Sequence, residues 1–421
     1  MPRFLHVSDI HLGFDRYDSK ERTLDFYRAF RDALEKYAIV PQVDFVVLAG
    51  DLFEHRHIQP NILNQAQLCL QALQEAGIPV LAIEGNHDNT PYGTKTSWLR
   101  YLSDWGLLHL LEPSTPNAGN ALYEPWDEGA KRGGYIDLAC GVRVLGSCWY
   151  GASAPNAIAT LADAIKTLPP PPAHTVMLFH HGLEGQIARY QGALRYNDLL
   201  PLKEAGVDYL ALGHIHKNYT VEDWIFNPGS VEANNVEESQ FDRGVYLVEL
   251  NASGIRAELK RDYTQRTIVR LKVTARGQES QEELEAAAIA TVQQAMQSGK
   301  IQAAAAPIVE LRLEGQVGFD RLELDTRKLQ QQLQQLTGAL IFLLRYNVDT
   351  VEYATHLTEE ASRFQVEREV FMDLLVAHNT YKKQAPELAQ GLIDLKDQQI
   401  QGRSETELYQ FVQHLLVESV D

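Results

Sequence analysis

Cysteine is scarce in this chain of 421 residues: Cys69, Cys140 and Cys148 are the full complement. An odd count without close pairing excludes a disulfide framework and a thiolate metal site, and it fits a reducing compartment. No apolar run is long enough to span a bilayer as a helix. Strand-like sequence begins already at residues 4–7, which leaves no room for a cleavable leader, so cytoplasmic residence without membrane attachment is expected. Basic charge is also short. With 38 Lys and Arg against 56 Asp and Glu the net charge is −18, which argues against a protein that grips nucleic acid unaided over a broad basic face. Nucleic acid as a substrate is not excluded, because carboxylates that hold cations are neutralised in place and a partner can bring the basic surface.

What is present is the composition of an ordinary globular protein, 45% apolar and 22% charged, long enough for two or three domains. Apolar runs at residues 3–8, 43–49 and 80–83 alternate with helical stripes at 19–39 and 60–75, and each run ends in a polar turn. Continuous apolar strands of this kind are buried on both faces, and ligands bind at their carboxyl ends. Shorter strands follow at 135–140 and 142–146, a helix near 156–167, then buried strands at 174–179 and 207–212. Residues 219–226 and 243–250 read as an antiparallel pair turned by Asn227-Pro228-Gly229-Ser230. The expected fold class is α/β: a two-sheet sandwich over residues 1–265, a small α/β capping domain over 266–350, and a helical region over 351–421 that can dock a partner. In the capping domain, strands at 268–273, 308–313 and 339–344 alternate with a helix capped by Ser280 and Glu283 and one capped at Thr326. The tail carries the stripes Val366/Val370/Leu374, Leu388/Leu392/Leu395 and Leu408/Phe411/Leu415/Leu416, the last helix capped by Ser404 and Glu407. Such stripes report burial without identifying what covers them.

The strand ends carry the chemistry. In order they are Ser8-Asp9-Ile10-His11, Gly50-Asp51, Gly85-Asn86-His87-Asp88, His180-His181 and Gly213-His214-Ile215-His216. Each alone is more often a solvated turn than a ligand set; five in succession, each ending a strand, point to one site. Asp9, His11, Asp51, Asn86, His180, His214 and His216 are seven candidate metal ligands, too many for one coordination shell. Two cations sharing Asp51 is the economical solution, and mixed imidazole and carboxylate donors suit Mn, Fe or Zn better than Ca or Mg alone. Such a pair polarises a phosphate and holds a water of lowered pKa for in-line attack. His87, beside the site, is the candidate general acid for the leaving oxygen. His180 and His181 compete for one position, and Asp88 either orients His87 or is a turn residue. His6, His55, His57, His109, His174 and His378 read as surface or packing histidines.

Taken in order, these motifs resemble the calcineurin-like metallophosphoesterase superfamily over residues 1–265. The resemblance implies Asp9, His11, Asp51 and His216 around one metal, Asp51, Asn86, His180 and His214 around the other, and His87 in the leaving-group role. Within the superfamily, residues 4–13 and Ala49-Gly50-Asp51-Leu52-Phe53 resemble the SbcD family of DNA repair nucleases. That implies two divalent cations, Mn2+ first with Mg2+, Fe2+ or Zn2+ as alternatives, exonuclease and endonuclease cleavage of DNA, a homodimer and an SbcC-like ATPase partner with a coiled coil. One departure is Glu54, where some members place a His after Gly-Asp-Leu-Phe; His55 and His57 stand just beyond. The alternative function is a small-molecule or cyclic-nucleotide phosphodiesterase, which leaves some 150 C-terminal residues without a role. A protein phosphatase is disfavoured by Leu-Phe-Glu-His after Gly50-Asp51, and a non-catalytic scaffold by the full ligand set.

Overall fold

A computed structural model describes residues 1–114, 121–187, 192–251, 254–350, 363–376, 381 and 384–417. The chain divides into two compact units, Met1–Val269 with Ala303–Ile308, and Arg270–Gln302 with Val309–Asp421.

The first unit is built on two six-stranded sheets. Strands β1 (Arg3–Val7), β2 (Phe45–Ala49), β3 (Val80–Ile83) and β4 (His109–Leu110) run parallel, side by side. β2 and β3 are buried at every position, which is why they read as unbroken apolar runs. In the second sheet β5 (Tyr135–Leu138) and β6 (Val142–Leu145) form a hairpin, and β7 (His174–His180) and β8 (Tyr209–Gly213) continue parallel to β6. Phe4, Phe45, Val47, Leu81, Val144, Val176, Leu178 and Tyr209 fill one buried cluster drawn from both sheets, with Phe4 and Phe45 stacked at 4.7 Å. Outside lie helices: α1 (Lys20–Leu34), continued by a π-helical turn at Glu35–Ile39, α2 (Pro60–Glu75) and α3 (Trp98–Asp104) on the first sheet, α4 (Ala154–Lys166) and α5 (Tyr196–Glu204) on the second. Ser19 caps α1 by accepting from the Arg22 N–H at 3.3 Å, and Pro60 opens α2 where no N–H is needed.

Two expectations are corrected here. The stretch 219–226 is not one strand but a hairpin, β9 (Tyr219–Val221) and β10 (Ile225–Asn227), turned at Glu222 and Asp223 with φ of 53° and 55°. Positive φ at both turn residues is the twist-matched hairpin geometry, here without the Asn-Gly or Asp-Gly pair that announces it. Residues 243–250 do not pair with it either: β11 (Val245–Asn251) crosses to the first sheet, antiparallel to β1 and to β12 (Gly254–Lys260). β12 and α5 were not anticipated; α5 contains Pro201, which disguises a helix.

In the second unit, β13 (Ile268–Arg276), β14 (Ile308–Val317) and β15 (Ile341–Thr350) form a sheet in that order, joined through α6 (Gln281–Gln297) and α7 (Thr326–Thr337). Ser280 and Glu283 cap α6 reciprocally, as expected. The cap of α7 is Asp325, which accepts from the Lys328 N–H at 3.0 Å, so Thr326 is its first helical residue rather than its cap. Among the described residues three helices follow, α8 (Arg363–Val376), α9 (Ala385–Ile400) and α10 (Glu405–Val417). The Ser404–Glu407 cap forms as expected, and Leu388, Leu392, Leu395 and Leu415 share one apolar cavity of about 110 Å³. Val366, Val370 and Leu374 are instead 42%, 52% and 65% exposed. Residues 351–362, where the expected tail region opens, His378 and the side chain of Leu416 lie outside the described residues. Among the described residues no helix is long and apolar enough to cross a membrane.

Candidate metal centre

Because β1, β2 and β3 run parallel, their carboxyl ends deliver Asp9 and His11, Asp51, and Asn86 and His87 to one rim of the first sheet; β7 and β8 deliver His180, His214 and His216 from the second. The exit of β1 keeps pairing with that of β2 beyond the strands: the Asp9 N–H donates to Gly50 O at 3.1 Å and the Ile10 and His11 N–H groups to Asp51 O at 2.9 and 3.1 Å. Asp9, His11, Asp51 and His214 all hold positive φ, 52°, 52°, 55° and 87°, a conformation costing side-chain-bearing residues about 1–3 kcal/mol each. Such strain is held only where the surroundings over-determine it. Gly85 is needed for close approach, since a Cβ there would stand 2.1 Å from Asp51 Oδ1.

The structure brings all seven expected ligands together. Donor atoms of Asp9, His11 and His216 lie within 4.8 Å of one another, as do those of Asp51, His180 and His214. His11 Nε2 and His216 Nε2 are 3.1 Å apart. His180 Nε2 is 3.1 Å from Asp51 Oδ2 and 3.2 Å from Asn86 Oδ1, and His214 Nδ1 is 2.8 Å from the same amide oxygen. The far side of each ring decides the chemistry. His11 Nδ1 faces Glu54 Oε2 at 2.8 Å, His216 Nδ1 faces Glu238 Oε1 at 3.1 Å, and His180 Nδ1 donates to Ala49 O at 2.7 Å. With each ring proton drawn to Nδ1, the Nε2 lone pairs of His11 and His216 confront each other, and that of His180 confronts two oxygen acceptors. Nitrogen and oxygen donors converging this closely need positive charge between them, as protons or as cations, so the donor set fits divalent metal ions.

The electrostatics agree. Burial opposes charge on His180 and His216, yet Asp51 and Glu238 respectively raise each to about 9. Burial also works against ionised Asp51, but His180 and His11 hold its carboxyl far below the usual range. Burial and the neighbouring His180 push His214 down to about 3. His180 and His216 thus sit where positive charge is favoured, and His214 where the neutral, ligating form of the ring is.

His87 is half-buried and its Nδ1–H donates to the Glu54 carbonyl at 2.6 Å, leaving Nε2 as its working atom. Its ring lines an open cleft of about 450 Å³ with Arg16, Glu54, His55, Arg56 and Asn86. Asp88 is a turn residue: its carboxylate accepts from the N–H groups of Leu52, Phe53 and Gly85 at 3.2, 3.1 and 3.0 Å, locking the β2 exit to the β3 exit. His181 turns away from the cluster, its ring nitrogens meeting Gly182 O and Gly151 O at 3.1 and 3.2 Å. His55 pairs with exposed Asp15 at 3.1 Å, and His57 is exposed. His6 is wholly buried, its Nε2–H donating to Leu212 O at 3.0 Å and its Nδ1 accepting from the Tyr209 hydroxyl at 2.9 Å.

Sequence reasoning did not find Glu238 or Trp149. The Trp149 ring lies 5.2 Å from that of His214 and 5.6 Å from that of His180, walling one side of the site. Neither belongs to a motif; Trp149 follows a strand without a polar turn, and Glu238 sits in a short 3₁₀ turn 22 residues after the histidine it supports.

The family model described as calcineurin-like phosphoesterase matches residues 2–218. Curated relatives include three proteins named DNA double-strand break repair protein Mre11. That of Archaeoglobus fulgidus is 39% identical over 109 residues, 26% of this chain and 24% of the relative. That of Saccharolobus solfataricus is 29% identical over 259 residues, 60% of this chain and 61% of the relative. That of Halobacterium salinarum is 42% identical over 117 residues, 27% of this chain and 28% of the relative. The chain thus spans less than two thirds of the length of each.

Proposed function

This chain belongs to the calcineurin-like phosphoesterase family, and from that premise we propose that it is a two-metal phosphodiesterase that cuts DNA at ends, by exonuclease and endonuclease modes, in DNA repair. The observation that carries the reading is the convergence of imidazole, carboxylate and amide donors at one rim, with the Nδ1 atoms of His11, His180 and His216 each turned outward to an oxygen partner. Asp9, His11, Asp51 and His216 would hold one divalent cation, Asp51, Asn86, His180 and His214 the other, with Mn2+ the expected ion. Bound there, the two cations would supply Lewis acidity toward a phosphate oxygen and a water of lowered pKa. Asp51 would be shared by both, and its Oδ1 is steadied by the His87 N–H at 2.9 Å. His87 presents Nε2 to the leaving oxygen as proton donor or as a hydrogen-bonding stabiliser. Arg16 and Arg56 along the cleft attract phosphates flanking the scissile one, which favours a polymeric substrate over a small cyclic diester.

The SbcD resemblance and the relatives' printed names support DNA repair as the setting. An SbcC-like ATPase is the partner we propose, with Val366, Val370 and Leu374 on α8 as its docking stripe; homodimerisation and cytoplasmic residence belong to the same proposal. The test is cleavage of linear duplex DNA and of bis-p-nitrophenyl phosphate by the purified chain in Mn2+, Mg2+ or chelator, with Asp51→Asn as control. Mn2+-dependent DNA cutting that the variant lacks is the expected result. Turnover of the small diester alone, unchanged when an SbcC-like partner is added, would move the small-molecule phosphodiesterase to first place.

A further inference from the structure

Resting on the two-cation reading above, we propose that Glu54 and Glu238 are positioning residues that make the two cation sites unequal, the Asp9–His11–Asp51–His216 site being the tighter. Both carboxylates are almost wholly buried, at 3% and 9% exposure. Each is fixed independently of the histidine it faces. Glu54 Oε1 is held by Arg16 at 3.2 Å, and its N–H donates to Leu12 O at 3.0 Å. Glu238 Oε2 accepts from the Asn234 N–H at 2.8 Å, Oε1 accepts from Asn235 Nδ2 at 2.8 Å, and the Glu238 N–H donates to Asn235 Oδ1 at 3.0 Å. Glu54 Oε2 then meets His11 Nδ1 at 2.8 Å, and Glu238 Oε1, shared with Asn235, meets His216 Nδ1 at 3.1 Å.

The other site is supported differently. His180 leans on the neutral carbonyl of Ala49 at 2.7 Å, and Asn86 contributes an uncharged oxygen. A carboxylate draws the Nδ1 proton more strongly than a carbonyl does, so Nε2 becomes the better donor. One site therefore combines Asp9, the shared Asp51 and two anion-backed imidazoles; the other has Asp51 as its one carboxylate ligand. Glu54 reaches further still, because its main-chain oxygen fixes the His87 tautomer. A side-chain substitution leaves that carbonyl in place, so the two roles of residue 54 separate experimentally.

The experiment is a Mn2+ titration of the metal-free full-length chain, with free Mn2+ read by electron paramagnetic resonance. The wild type should bind two equivalents, the first at least about tenfold more tightly. Glu54→Gln and Glu238→Gln, isosteric changes on separate loops, should each weaken the first equivalent by about 10- to 100-fold and leave the second unchanged. Asn86→Ala should remove the weaker one, which identifies it. Thermal melts in chelator report folding, and should one Gln variant fail to fold the other decides. Two equal equivalents in the wild type, or a first equivalent untouched by the Gln variants, would overturn the proposal. So would a third equivalent lost in Glu54→Gln, which would make Glu54, grouped with His11 and His87 within 4.8 Å, a ligand itself. A wild type that binds no Mn2+ would instead overturn the phosphoesterase reading.

Discussion

His87 stands with its ring perpendicular to that of His11, the centroids 4.9 Å apart, yet its Nδ1 is committed to a carbonyl and not to the shared donor cluster. His87→Ala should therefore still bind two Mn2+ while losing turnover by about 10²- to 10⁴-fold; metal titration beside single-turnover cleavage checks this, and equal loss of metal would make His87 a ligand. A different histidine governs acid stability. Burial drives His6 from 6.5 down to about 3, so between those values the unfolded chain binds a proton that the folded chain refuses. Its contribution is intact above pH 6.5 and is lost as pH falls, by up to about 1.4 kcal/mol per unit. Urea unfolding at several pH values should show a shallower acid slope in His6→Gln than in the wild type. Identical slopes would mean that His6 is not held neutral.

At the scale of elements, the site is made by loops that cannot relax. Gly85→Ala would put a Cβ 2.1 Å from Asp51 Oδ1 and 2.6 Å from its backbone nitrogen. Thermal melts should show the loss of about 1–3 kcal/mol that overpacking brings, and Mn2+ titration should show weakened binding as the bridging carboxylate is displaced. Unaltered metal binding would show that the β3 exit has room to yield. Those exits were legible from sequence because β2 and β3 are buried on both faces, which writes the strand as an apolar run and its end as a sudden polar turn. The choice between His180 and His181 followed from the resemblance alone, since both are buried; it took coordinates to see one ring reach Asn86 and the other turn to Gly151. Strand partnership was less visible. β10 and β11 are separated by one loop and join different sheets, because pairing is settled by neighbours far away in sequence, such as β1 beside β11. The supporting carboxylates were invisible for the same reason, Glu238 obeying no spacing relative to the ligands.

For the whole molecule, the acidic balance of −18 is partly a property of the metal-free state. Two divalent cations at the centre would offset Asp9 and Asp51 and leave the donor set positive, as an anionic substrate requires. Native-state binding also stabilises by mass action, about 2.7 kcal/mol per site at a hundredfold excess over Kd. In calorimetry Mn2+ should raise the melting temperature of the unit that carries the site, Met1–Val269 with Ala303–Ile308, and leave the other unit's transition in place. Asp51→Asn should abolish most of that shift; an equal shift in the variant would mean that the stabilising ions bind elsewhere.

The donors come from five loops spread between Asp9 and His216, four on the first sheet and three on the second. During synthesis the first four emerge early, while the β8 imidazoles arrive only once more than half of the chain has been made. A nascent chain, or a fragment ending before Gly213, therefore carries at most five of the seven donors on an incomplete sandwich. The donor set is complete only once the exit of β8 has been made, so a chain that stops short of it would lack the two imidazoles that close the set.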